Sequence, residues 1–204
     1  MNGNDQLLAN MVYMRLRELD YPINKLNIVY LEDSNEKGNP LPESANTFND
    51  RSLLLKVENK KPEILFNELA TTEPGKYYTQ NPINAKGAAS IALDTPFVNC
   101  WTWGIHGTGR FKHPALIQVN PITVYRDKNK DSLRTGDGRE TGLFGINQHG
   151  IYGYSQTKDS IGKSSAGCMV RLDYAEHLEF LRIIYTYHKQ TDLLSTIVLD
   201  TTKM

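Results

Sequence analysis

From residue 52 onward the chain is cut into eight short apolar runs: SLLLKVE, EILFNELAT, ASIALD, FVNCWTWGI, ALIQVN, ITVYRD, LFGINQ and CMVRL. Gly, Pro, Asn or Asp punctuates the gaps between them. Runs of this length, rich in β-branched and aromatic residues, read as strands, and many in succession must share a sheet stack or barrel to bury their faces. Helical periodicity is confined to two segments. Residues 5–19 place Leu8, Met11, Val12, Arg15 and Leu19 together, with Asn4 or Asp5 as a cap. Residues 173–188 place Leu178, Leu181, Ile184 and Tyr185 on one side. LNIVYL (26–31) and STIVLD (195–200) add strands, and the polar stretch 32–51 reads as loop. The expectation is a β-rich α+β fold, with residues 1–50 a helical and loop extension and 51–204 the main domain.

Composition narrows the function classes. With 204 residues, the chain can bury a sizeable core without a disulfide or metal staple. Twenty-three Lys and Arg balance 23 Asp and Glu, so no overall basic excess points to a nucleic acid or an anionic membrane. Two cysteines, Cys100 and Cys168, do not make a disulfide scaffold. Mean hydropathy is −0.48, and no apolar run nears the ~18 residues of a membrane-spanning helix. No basic, apolar leader opens the chain, so the expectation is synthesis in the cytoplasm without a signal peptide.

Most chemical motifs fail on inspection. The five histidines form no H-E-x-x-H and the cysteines no C-x-x-C, so no metal or other cofactor is expected. Asp127, Asn129 and Asp131 resemble the start of a calcium loop, but Ser132 stands where that loop needs Gly and Gly138 where it needs Glu. Ile161-Gly162-Lys163-Ser164 lacks the first glycine of a phosphate loop. Ser165-Ala166-Gly167-Cys168 is different. It joins a polar loop to a strand, and Gly167 removes a side chain beside the sulfur. The Gly167 and Cys168 N–H groups then suit an oxyanion formed by thiolate attack on a carbonyl. Such a thiolate needs a base, and His149 lies 19 residues upstream at the end of LFGINQ. Cys100, inside FVNCWTW, reads as a small core hydrophobe.

His149-Gly150 followed by Ser160–Cys168 resembles the signature of the L,D-transpeptidase (YkuD-type) catalytic domain, in which an H-G pair precedes an S/T-x-G-C cluster. Ala70–Thr79 is similar to a glycine-containing segment upstream in that family, and the blocks VYRDxNxD, TGLFGINQH and SAGC resemble one branch of it. The resemblance covers residues 65–200. It implies a β-rich sandwich or barrel, with one helix after the cysteine, acting on peptidoglycan stem peptides. Cys168 would be the nucleophile, His149 the base, Gly167 the oxyanion hole, Ser165 a further residue of the catalytic cluster, and the Gly150 carbonyl the group that orients the imidazole. Where the family carries Arg or Asn two residues after the cysteine, this chain has Val170, with Arg171 one later. His106, in an I-H-G-T string 62 residues before Cys168, rivals His149 and otherwise lines the cleft. Tyr152 and Tyr154 are either loop packing or a wall for the substrate. The rival class is a non-enzymatic wall-binding or structural domain of a phage tail or injection particle. In either class residues 1–50 would serve as a docking piece, and the protein would reach the wall by a non-classical route.

Overall fold

The computed structural model of the protein describes residues 3–134, 137–153, 157 and 159–204, with side chains from residue 5 onward. It is an α+β, strand-rich protein with a large mixed sheet. Helix α1 (Gly3–Glu18) leads into strands β1 (Leu26–Glu32), β2 (Asp50–Glu58) and β3 (Lys61–Thr71). A short helix α2 (Lys76–Gln80) precedes β4 (Ala88–Ile91), β5 (Phe97–His106), β6 (His113–Gln118), β7 (Ile122–Asp127) and β8 (Gly138–Gly142). Then come β9 (Gln148–Gly150), β10 (Met169–Arg171), helix α3 (Tyr174–Tyr187) and β11 (Leu194–Asp200). Eight strands close a barrel in the order β1-β11-β5-β6-β9-β10-β3-β2, and β4-β7-β8 form a separate three-stranded sheet.

Strand alternation explains why one side of the barrel is double-layered. Every residue of β1 is buried. Leu26, Ile28 and Tyr30 enter the core with Trp101 and Phe180, while Val29 and Leu31 join Leu8, Val12 and Leu16 of α1. The neighbours β2 and β11 split likewise, Leu54 and Val198 inward, Leu53, Leu55, Ile197 and Leu199 toward α1. An unbroken apolar run such as LNIVYL is what a strand covered on both faces requires. The division at residue 50 is therefore corrected: β1 is a barrel stave hydrogen-bonded to β11 and β2, and α1 covers it. Asn59 and Lys60, with φ of 51° and 61°, make the two-residue turn joining β2 to β3.

The helix faces are also adjusted. In α1 the buried line is Leu8, Ala9, Val12 and Leu16, with Arg15 at its border, 2.8 Å from Asp94. Because α1 starts at Gly3, Asn4 and Asp5 lie in its first turn rather than before it. In α3 the buried face is His177, Phe180, Leu181 and Ile184, whereas Leu178 and Tyr185 are exposed. Asp173 caps α3, its carboxylate accepting from the Ala175 and Glu176 N–H groups at 2.7 and 3.1 Å.

Candidate functional site

Parallel pairing of β9 and β10 sets Val170 opposite His149 and Met169 opposite Gln148. Side chains alternate along a strand, so Cys168, Val170 and His149 share one face. Gln148, Met169 and Arg171 share the other and are fully buried in the barrel. The expected substrate contact by Arg171 is thereby corrected. Its guanidinium donates to Ser52 Oγ (3.0 Å), Tyr30 OH (2.6 Å) and His177 Nδ1 (3.2 Å), and lies 3.2 Å from the Phe180 ring centroid.

The Cys168 thiol is half-buried and lines a cleft of about 440 Å³ with His106, Arg126, Phe144 and Ala89. The Asn147 N–H donates to Sγ at 3.4 Å, and Sγ approaches the Gly145 carbonyl at 3.7 Å. Burial pushes the thiol up to about 11, against the opposing pull of that Asn147 N–H. A wider depression of about 550 Å³ beside Tyr13, Arg17 and Lys25 holds no cysteine or histidine.

The loop before the cysteine is built on Ser165. Its hydroxyl accepts the Gly167 N–H at 3.0 Å and donates to the Cys168 carbonyl at 2.8 Å. The expected oxyanion role of the Gly167 N–H is corrected accordingly, since Ser165 already engages it. Gly167 is needed for another reason: at φ 126°, a Cβ there would lie 2.5 Å from the Ala89 carbonyl oxygen. Among the described contacts, the Asn147 N–H is the backbone donor to the sulfur.

The histidine tautomers follow from partners that can only donate or only accept. His149 Nδ1 is 3.1 Å from the Gly150 carbonyl, so Nδ1 carries the proton and Nε2 the lone pair. The Gln118 backbone N–H donates to Asn147 Oδ1 at 3.0 Å, which turns the Asn147 amide NH₂ toward His106 Nδ1 at 3.1 Å. His106 Nδ1 is then an acceptor and its proton sits on Nε2. His177 accepts from Arg171 at Nδ1 and donates from Nε2 to the Pro114 carbonyl at 2.9 Å. His113 donates from Nδ1 to the Phe111 carbonyl, leaving Nε2 buried without a partner among the described residues. Burial holds His149 well below the usual imidazole range, with His106 adding to the effect. Burial lowers His106 to about 4, and burial with the Arg171 charge lowers His177 to about 3. Burial thus disfavours both the thiolate of Cys168 and the imidazolium of His149.

His106 and His149 stack with ring centroids 3.8 Å apart and planes 11° apart. One donor atom from each of His106, His149 and Cys168 lies within 4.8 Å of the others, a set of metal-ligand type. Near-parallel rings send their in-plane lone pairs side by side, so a shared ion requires one ring to turn. At the end of β7 the Asp127 carboxylate accepts the Asp131 and Ser132 N–H groups at 3.2 and 3.0 Å, which closes the turn on itself. Tyr152 packs on Tyr174 and His113, at 4.7 and 5.3 Å between centroids, and Tyr154 lies outside the described residues. Asn147 is the site residue that sequence reasoning missed. Its place two before His149 in GINQH, just ahead of β9, was the available signal.

Two outcomes test the base assignment. Iodoacetamide labelling of Cys168 should be slow at neutral pH and climb steadily with pH. A thiol at about 11 leaves roughly one part in 10⁴ as thiolate at pH 7. His149→Ala should slow substrate-driven acylation by roughly 10²-fold or more, and His106→Ala should slow it far less. A labelling plateau reached by pH 7 would show a preformed ion pair instead, and the opposite ranking of the two variants would make His106 the base.

Compared with known proteins, the chain matches no protein-family model and no curated protein.

Proposed function

We propose that the protein is a cysteine-dependent enzyme that cleaves or transfers at the L,D-peptide bond of peptidoglycan stem peptides, built on an L,D-transpeptidase-like barrel. The observation that carries this reading is the Cys168 thiol opening on a cleft on the same strand face as His149, whose Nε2 has no hydrogen-bond partner among the described residues. The spacing of H-G and S-A-G-C supplies the substrate class. In the proposed reaction the sulfur attacks the carbonyl at the L-configured centre of the diamino acid, and an S–C bond forms. His149 takes the thiol proton and passes it to the leaving amine as the C–N bond to the D-residue breaks. Water, with His149 again as base, cleaves the thioester, or an acceptor amine takes the acyl group. The Gly150 carbonyl holds the imidazole in the tautomer both steps need.

A defined tetrapeptide muropeptide incubated with the protein and analysed by mass spectrometry tests the reading. The expected product is the tripeptide with a free D-amino acid. Mostly 3–3 cross-linked dimers would assign transfer over hydrolysis. An unchanged tetrapeptide at high protein load would overturn the enzyme reading in favour of a wall-binding domain.

A further inference from the structure

The catalytic cleft contains a cation that the proposed chemistry does not use. Arg126 sits on β7 opposite Ala89 of β4, and the Ala89 carbonyl is the group that abuts Gly167, next to the nucleophile. One strand partner therefore separates Arg126 from the cysteine loop, a step of about 5 Å. Arg126 and Cys168 line the same cleft.

The guanidinium is held rather than loose. Its side chain is 9% exposed, Nε donates to Glu140 at 2.7 Å, and Nη1 reaches the Gly87 carbonyl at 3.4 Å. The plane is braced over the Phe144 ring, 4.5 Å from its centroid. Lys86 shares Glu140 at 2.6 Å, so two cations answer one carboxylate, and Arg126 is the charged side chain among the described residues that line the cleft. Nη2 has no hydrogen-bond partner among the described residues and is not a buried orphan. Its free N–H groups sit beside Nη1, the edge that grips a carboxylate in two parallel bonds. Exposed Ile83 and Leu143 stand at the same cleft, giving the ligand an apolar flank.

We propose that Arg126 binds the free C-terminal carboxylate of the substrate, so that Cys168 attacks the peptide bond one residue in from the chain end. This rests on the stem-peptide reading above and sharpens it: the protein would select uncapped stems and release a single terminal residue, not cut cross-bridges internally.

The test compares a stem tetrapeptide bearing a free C-terminal carboxylate with its C-terminal carboxamide. Binding is measured by calorimetry on the full-length Cys168→Ala protein and turnover on the unmodified protein. The acid should bind at least about tenfold more tightly than the amide. Arg126→Gln should bring that ratio close to one, and Arg126→Lys should restore part of it. Glu140→Gln, which removes the competing carboxylate, should widen the preference, and this holds the proposal to account even if Arg126→Gln does not fold. Equal handling of acid and amide by the unmodified protein, with turnover intact, overturns the role of Arg126 and leaves the enzyme reading standing. Acid-selective, Arg126-dependent binding without turnover does the reverse. Failure of both peptides to bind overturns both.

Discussion

Cys168→Ala should abolish turnover of a stem tetrapeptide, by three or more orders of magnitude, while leaving the unfolding midpoint within experimental error. The activity half follows from chemistry: without sulfur there is no acyl intermediate, and neither His149 nor any N–H donor replaces a nucleophile. The stability half follows from position. The thiol is half-buried at a cleft wall and, among the described residues, makes two long polar contacts, to Asn147 and Gly145. Removing one weakly bonded sulfur from a cleft wall leaves no closed cavity. Turnover by the alanine variant within tenfold of the parent rate would remove the cysteine mechanism altogether. Circular dichroism and urea unfolding of the same preparation separate lost chemistry from lost fold.

The largest stability effect is expected from Arg171→Ala, about 3–5 kcal/mol by urea unfolding at neutral pH. Arg171 is fully buried, and burial lowers its guanidinium to about 10. Its described hydrogen-bond partners are neutral: Ser52, Tyr30 and His177. Truncation leaves a void beside Phe180 and strips an N–H donor from three buried groups at once. The damage should reach the site as well, because His177 bridges from Arg171 to the Pro114 carbonyl, and Pro114 adjoins His113, the strand partner of His106. Gly150 lies against the other side of His177, where a Cβ would come within 2.6 Å of the His177 Cβ. Arg171→Met restores volume without charge and should recover part of the loss. A loss below about 1 kcal/mol in Arg171→Ala would show that water enters and satisfies the three partners.

Much of this architecture is legible in the residues because alternation and turn chemistry are local. Seven of the eight punctuated runs contribute strands near their expected places, and both long helices lie where their periodicity puts them. The exceptions have physical causes. Only Gln148 of LFGINQ enters a strand; residues 143–147 are irregular, and the Trp101 indole holds the Ile146 carbonyl at 2.8 Å. β8, of sequence GRETG, escaped notice because an exposed edge strand has no buried face to impress on its composition. α2 is too short to show a period. The α3 seam was misplaced by one turn position because His177 is polar, yet it is buried by its bonds to Arg171 and Pro114.

For the site, local chemistry was readable and direction was not. The pairing of Cys168 with His149 depends on spacing and strand register, both of which leave traces in the chain. The burial of Arg171 depends on parity: three residues after the cysteine is an odd step, which points inward along an unbulged strand. The stacking of His106 on His149 depends on β5 and β6 bringing a distant hairpin end to the cleft. No local pattern records such a meeting, so the two histidines looked like competitors when the fold makes them neighbours.

The way the barrel closes bears on how a ribosome can make it. β11 leaves the exit tunnel after the other seven staves of the barrel, yet it seats between β1, the earliest of them, and β5. It runs parallel to β1 from Ile28 opposite Thr196 to Glu32 opposite Asp200. A nascent chain that has emerged only through α3 therefore has seven staves, two unsatisfied edges, and an α1 lacking Ile197 and Leu199 beneath it. Open edges flanked by apolar faces are what neighbouring chains on a polysome pair with. Synthesis stalled before β11 should yield aggregates rather than a shortened but folded protein, and soluble yield should depend on this stave far more than its seven residues suggest.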